Sequence, residues 1–260
     1  MPTAQSAGTA IYYETSGEGP ALLFAHGAGG NAAIWFQQTA HFADRFNCIA
    51  FDHRGFARSP APASTLTAAQ FRDDALAVLD AAGADRAHVV AQSMGGYTAL
   101  RLALDAPGRV ASVTLSGTSG GLPNEQPSEA LKALVSGHGR GNTSSGIAAT
   151  MARATQADKP KMALYAAVSA FNTAFSFANL ADLVRDGGPS LADAGRIACP
   201  VQFVAGREDP LFPPSLLASY VPHFPNARIT VVDDAGHSPY YEQPEIFNAL
   251  LDAFLGDQGD

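Results

Sequence analysis

The stretch "VVAQSMGGYTAL", Val89 to Leu100, opens as a β-branched apolar run, breaks at Ser93, passes Gly95 and Gly96, and resumes with helical apolar spacing. A buried strand that turns at once into a helix points to α/β architecture, provided the rest of the chain repeats the alternation. The serine at the junction has two readings. It caps the helix, or its hydroxyl is held above the ends of the strands for chemistry.

The alternation does repeat. Short apolar runs bounded by turn residues occur at Ala21–Ala25, Cys48–Phe51, His88–Ala91, Val110–Ser116, Val201–Ala205 and Arg228–Val232. Several lack the polar alternation of a half-exposed strand, as expected where both faces are covered. Helical patterns lie between them, among them "AAQFRDDALAVLDAAG" (68–83) and "GGYTALRLALDAP" (95–107), and "PEIFNALLDAFLG" closes the chain with a proline at its start. The early segment "AIYYETSG" adds an antiparallel strand, expected at the sheet edge. From Gly120 to about Gly195 the strand rhythm stops and helix-like pieces such as "PSEALKALVSG" take over, which reads as a helical insertion.

Composition narrows the class. A chain of 260 residues with 47% hydrophobic content can bury a large core. With a net charge of −8 and 16 Lys and Arg residues in no basic run, a nucleic-acid or anionic-membrane partner is not expected. No charged and apolar leader opens the chain, and no apolar stretch approaches the ~18 residues of a membrane span. The expected location is therefore cytoplasmic. Cys48 and Cys199 each border a predicted strand and read as reduced, buried thiols rather than a disulfide or metal site.

Around Ser93 the pattern is G-x-S-x-G with Ala91 at the first glycine position. A turn this tight forces the serine into a strained conformation, so the residues two before and two after it must be nearly free of side chain. A serine hydroxyl is a weak nucleophile and needs a base, which itself needs an orienting group. His237, in "ITVVDDAGHSPYYEQP", follows a predicted strand and is flanked by Gly236 and Pro239; alone it reads equally as an exposed loop histidine. In "VQFVAGREDPLFPP" another strand ends in a turn carrying Glu208 and Asp209, where either carboxylate could hold an imidazole and where an Asp-Pro turn initiator is the plain alternative. In "LLFAHGAGGNAAIW" a strand runs into a glycine-rich turn whose backbone N–H groups could approach an oxyanion. A dinucleotide site is not indicated, because no G-x-G-x-x-G follows that strand.

In the order glycine-rich loop, serine, acid, histidine, these elements resemble the α/β-hydrolase fold family over essentially the whole chain. The stretch "AFDHRGFARSP" is similar to the family's D-x-R-G-x-G-x-S loop, with Ala57 at the second glycine, and implies structural roles for Asp52, His53 and Arg54. The resemblance implies a mostly parallel eight-stranded sheet flanked by helices, with residues 1–119 and 196–260 as core and 120–195 as a helical cap after the sixth strand. It implies acyl transfer without cofactor or metal: Ser93 as nucleophile, His237 as general base, and Asp209 rather than Glu208 as the acid. The backbone N–H groups of Ala28 and Met94 would form the oxyanion hole.

Gly27, Gln92, Phe171, Phe175, Leu211 and Ser238 are the expected substrate contacts, although Gln92 could equally brace the turn. Met151, Met162, Tyr165, Phe171, Phe175 and Phe177 suggest an apolar pocket wall, at least half of them being expected simply to pack the cap on the core. A serine argues against dehalogenase or epoxide-hydrolase chemistry, which needs an aspartate nucleophile, and the absence of lysine after Asp209 argues against a hydroxynitrile lyase. The expectation is hydrolysis of a small to medium apolar carboxylic ester or lactone. Carbon–carbon hydrolysis of ring-cleavage-type diketones stands as the rival reaction, and a ligand-sensing receptor with slow turnover as the rival class.

Overall fold

A computed structural model describes residues 1–135, 146, 148–173, 183 and 188–257. Its strands are β1 (Thr3–Ser6), β2 (Thr9–Ser16), β3 (Ala21–Ala25), β4 (Asn47–Phe51), β5 (Ala87–Gln92), β6 (Val110–Ser116), β7 (Val201–Gly206) and β8 (Ala227–Val232). They form one sheet in the order β1-β2-β4-β3-β5-β6-β7-β8. β2 runs antiparallel to β1 and to β4, and every later pairing is parallel.

Alternate residues of the central strands feed two different cores. Leu23, Ala25, Val89 and Ala91 pack with Ala75, Leu79 and Leu102, on the side of helices Ala68–Ala81 and Gly95–Asp105. Leu22, Phe24 and Val90 pack with Trp35, Phe42, Phe247 and Leu251, on the side of helices Phe36–Phe42 and Pro244–Gly256. Both faces are dry, which is why these strands are continuously apolar in sequence.

One expectation is corrected. The strand read from "AIYYETSG" is β2, and it is not the edge, because β1 pairs along its outer side through Thr3↔Tyr12 to Ser6↔Thr9. β1 is only Thr-Ala-Gln-Ser, with one alternate face buried, too short and too polar to register as an apolar run.

Between β6 and β7 the described residues contain no strand; they include helices Glu129–Val135, Arg153–Ala157, Lys159–Ser169 and Leu191–Ala194. No described helix is long and apolar enough to cross a membrane. Cys48 is buried but Cys199 only half-buried, which departs from the expected pair of buried thiols. Burial pushes the Cys48 thiol up to about 12 and the Cys199 thiol up to about 11.

Candidate active site

The parallel strands all end on the same side, so the turns after β3, β5, β6, β7 and β8 meet above one edge of the sheet. The turn after β5 is the tightest. Ser93 sits at φ +50, a region unfavourable for any side chain, and is held there by Ser93 N–H donating to Ser116 O at 3.1 Å and Gly96 N–H donating to Ser93 O at 2.9 Å. Close approach explains the small residues around it. A Cβ on Gly95 would lie 2.2 Å from Ala25 O, and Ala91 is fully buried in register with Ala25.

Ser93 Oγ lies 3.0 Å from His237 Nε2, and His237 Nδ1 lies 3.0 Å from Asp209 Oδ2. The imidazole is fully buried, and the Phe212 ring stacks on it at 5.9 Å. The other Asp209 oxygen accepts from the N–H groups of Leu211 at 2.8 Å and Phe212 at 3.1 Å, which fixes the carboxylate. Glu208 takes no part. It is exposed, and it accepts from Arg153 N–H at 3.1 Å.

The remaining candidates separate. Ala28 and Met94 are brought into one buried cluster with Phe56 and Phe71, beside Ser93. Gly27 is pressed against the turn: a Cβ there would lie 1.9 Å from Gln92 Oε1 and 2.9 Å from Ser93 Cβ. Gln92 is a buried brace that donates from Nε2 to His237 O at 3.1 Å, so one of its two anticipated roles is directly observed. Leu211 is buried, with its N–H on Asp209. Ser238 is buried, with its N–H on Glu242 Oε1 at 2.9 Å.

Phe171 is 67% exposed, which contradicts the expected place on an apolar wall; it follows the end of helix Lys159–Ser169, where the chain turns at the surface. Phe175 and Phe177 lie outside the described residues. Met151, Tyr165 and Met162 pack with Tyr240 and Tyr241 in the core, the simpler of the two readings. Met151 also lines a cavity of about 570 Å³ beside the turn that carries Asp209, together with Arg153, Gln156, Glu208 and Pro210.

The D-x-R-G loop is held by structural contacts. Asp52 accepts from Ala32 N–H at 2.7 Å and from Arg58 at 2.8 and 3.0 Å, while Arg54 donates from Nε to Asp74 at 2.7 Å with both partners fully buried. Below the glycine-rich loop, His26 Nδ1 lies 2.8 Å from Gly27 O, and its Nε2 accepts from His53 N–H at 3.0 Å. Burial holds the His26 ring down to about 4, and burial together with His26 holds His53 well below the ordinary range.

Three contributors escaped the sequence. Gly117, after β6, stands at φ +56, where a Cβ would lie 2.7 Å from His237 O and 3.3 Å from Asp209 Oδ2; its only signal was a glycine at the end of a strand. Thr150 O accepts His237 N–H at 3.0 Å from the inserted segment, and nothing in the sequence marks it. Glu242 is buried in the histidine loop, its carboxyl pushed up by burial and drawn back by the N–H groups that donate to it. Its signal was a carboxylate four residues after Ser238, at the end of the short helix that Ser-Pro starts.

The chain belongs to the family described as "alpha/beta hydrolase fold", which matches residues 20–244. It is 30% identical to "Putative carbamate hydrolase RutD" of Azorhizobium caulinodans, with 99% of each chain covered. It is 29% identical to "3-oxoadipate enol-lactonase 2" of Acinetobacter baylyi, covering 97% of this chain and 95% of that one. Among solved structures it superimposes on an esterase of Thermogutta terrifontis with a TM-score of 0.84, at 23% identity, over 99% of this chain and 97% of that one, a likeness of fold.

Proposed function

We propose that the protein is a serine hydrolase that opens a small to medium apolar carboxylic ester or lactone through an acyl-enzyme. The reading is carried by one observation, the unbroken relay from Ser93 Oγ through the His237 ring to Asp209, with both links at 3.0 Å. Ser93 Oγ attacks the acyl carbon while His237 Nε2 takes its proton, and Asp209 stabilises the imidazolium through Nδ1–H. The tetrahedral oxyanion rests on the N–H groups of Ala28 and Met94, next to the start of helix Gly95–Asp105. Collapse expels the alkoxide, which takes the proton from His237. Water, deprotonated by His237, then releases the acid from Ser93.

The names of the two relatives support this chemistry, since carbamates and enol-lactones both carry an acyl carbon with a heteroatom leaving group. Residues 120–195 act in this reading as the cap over the acyl pocket. Labelling with a fluorophosphonate, followed by a panel of esters of increasing acyl length and of lactones, tests the proposal. Labelling confined to Ser93 with turnover of a short ester supports it; failure of both labelling and turnover overturns it. Turnover of a vinylogous diketone without ester cleavage would move the assignment to carbon–carbon hydrolysis.

A further inference from the structure

Glu242 is 1% exposed, and its two oxygens reach in different directions. Oε1 accepts from Gly236 N–H at 3.0 Å and from Ser238 N–H at 2.9 Å, the N–H groups of the residues on either side of His237. Oε2 accepts from Ala152 N–H at 2.7 Å, in the segment inserted between β6 and β7, and the hydroxyl of Thr155 also donates to this carboxylate. Beside it the two backbones touch. A Cβ on Gly236 would lie 2.5 Å from both Ala152 N and Thr150 O, and Thr150 O is the acceptor for His237 N–H.

We propose that Glu242 is the positioning residue of His237, its carboxylate locking the histidine loop and the Thr150–Thr155 segment into one unit, so that the imidazole is aligned only while that segment is seated. The proposal rests on the reading of His237 as the base. A carboxylate suits the place because every group facing it is a donor. An amide does not: in either orientation its NH2 faces N–H groups that need an acceptor, and the orientation that keeps Gly236 and Ser238 breaks the tie to Ala152.

Glu242→Gln tests this, with Ser93→Ala and the wild type measured alongside on p-nitrophenyl acetate. Glu242→Gln lowers kcat about 10- to 100-fold, the cost of a misplaced catalytic group, with little change in KM. In the same variant the low-field NMR proton of the His237–Asp209 hydrogen bond weakens or disappears, which a loss of stability alone would not produce in folded protein. Thr155→Val, a nearly isosteric change on the same carboxylate, moves kcat in the same direction by a smaller factor.

A folded Glu242→Gln protein with kcat within twofold of wild type and an intact low-field proton overturns the proposal. If that variant cannot be recovered folded, Thr155→Val with unaltered kcat and proton signal overturns it. Retained activity in Ser93→Ala would instead overturn the hydrolase reading on which the proposal stands.

Discussion

Two buried histidine sites lie on the same side of this molecule, and only one has a carboxylate on one ring nitrogen and a hydroxyl on the other. His26 and His53 pack edge to face at 4.5 Å beneath the glycine-rich loop. Their hydrogen-bond partners are backbone groups and the Thr98 hydroxyl at 2.8 Å from His53, with no carboxylate bonded to either ring among the described residues. His237 is equally buried but has Asp209 on one nitrogen and the partly exposed Ser93 on the other. Burial alone gives a neutral ring that takes up a proton with difficulty. A carboxylate on one side and a hydroxyl open to substrate on the other turn the same ring into a base.

The largest expected effect breaks the contrast at its active half. Ser93→Ala and His237→Ala each lower kcat roughly 10⁴- to 10⁶-fold, and Asp209→Asn about 10³- to 10⁴-fold, in steady-state ester hydrolysis, with the thermal midpoint nearly unchanged for Ser93→Ala. Substitution in the structural half does the reverse. Asp74→Ala strands the buried Arg54 guanidinium and costs about 3–5 kcal/mol of folding free energy in urea titrations, while the folded fraction keeps its kcat.

Acid should report on the inert pair. The native His26 ring, held at about 4, refuses a proton that the unfolded chain accepts near 6.5. The corresponding stability is present above pH 6.5 and is lost as pH falls towards 4. The urea midpoint therefore drops across that window, and His26→Asn flattens the drop; an equal slope in the variant would assign the acid sensitivity elsewhere. The smallest effect is a gain. Ala57 stands at φ +37 where glycine is strain-free, so Ala57→Gly raises stability by about 1 kcal/mol in urea titrations and leaves kcat alone.

Much of the fold and of the candidate site was legible in the sequence. Strands with two dry faces announce themselves as unbroken apolar runs, and β3 and β6 begin and end where the sequence says. Ser93, Asp209 and His237 stand next to glycines and prolines that mark turns at strand ends, so their meeting above the sheet follows from topology once the strands are parallel. What stayed hidden depends on contacts between distant segments. That Gln92 braces the turn rests on His237 O, 145 positions away. Phe171 read as a wall residue because hydrophobicity alone does not say which side of a short helix end faces water. Glu242 escaped notice because two of its four donors, Ala152 N–H and the Thr155 hydroxyl, come from a distant stretch of chain, Ala152 lying 90 positions before it.

Helix Lys159–Ser169 and the residues just after it carry a second seam. Ser169 Oγ donates to Gly29 O, Asn172 Nδ2 donates to Gly30 O at 2.9 Å, and Asn31 Nδ2 donates to Val168 O at 2.8 Å. One margin of the inserted segment is thus sewn to the glycine-rich loop, and the other to the histidine loop. For anyone recombining parts between relatives, the crossover points follow: Thr150, Ala152 and Thr155 travel with Glu242, and Ser169 and Asn172 travel with the Gly29–Asn31 turn. A graft that respects both seams, and keeps Lys161 with its partners Tyr241 and Glu242 O, can vary the exposed residues of the helix between them, whereas one cut through either seam changes the surface and the contacts around Ser93 and His237 together.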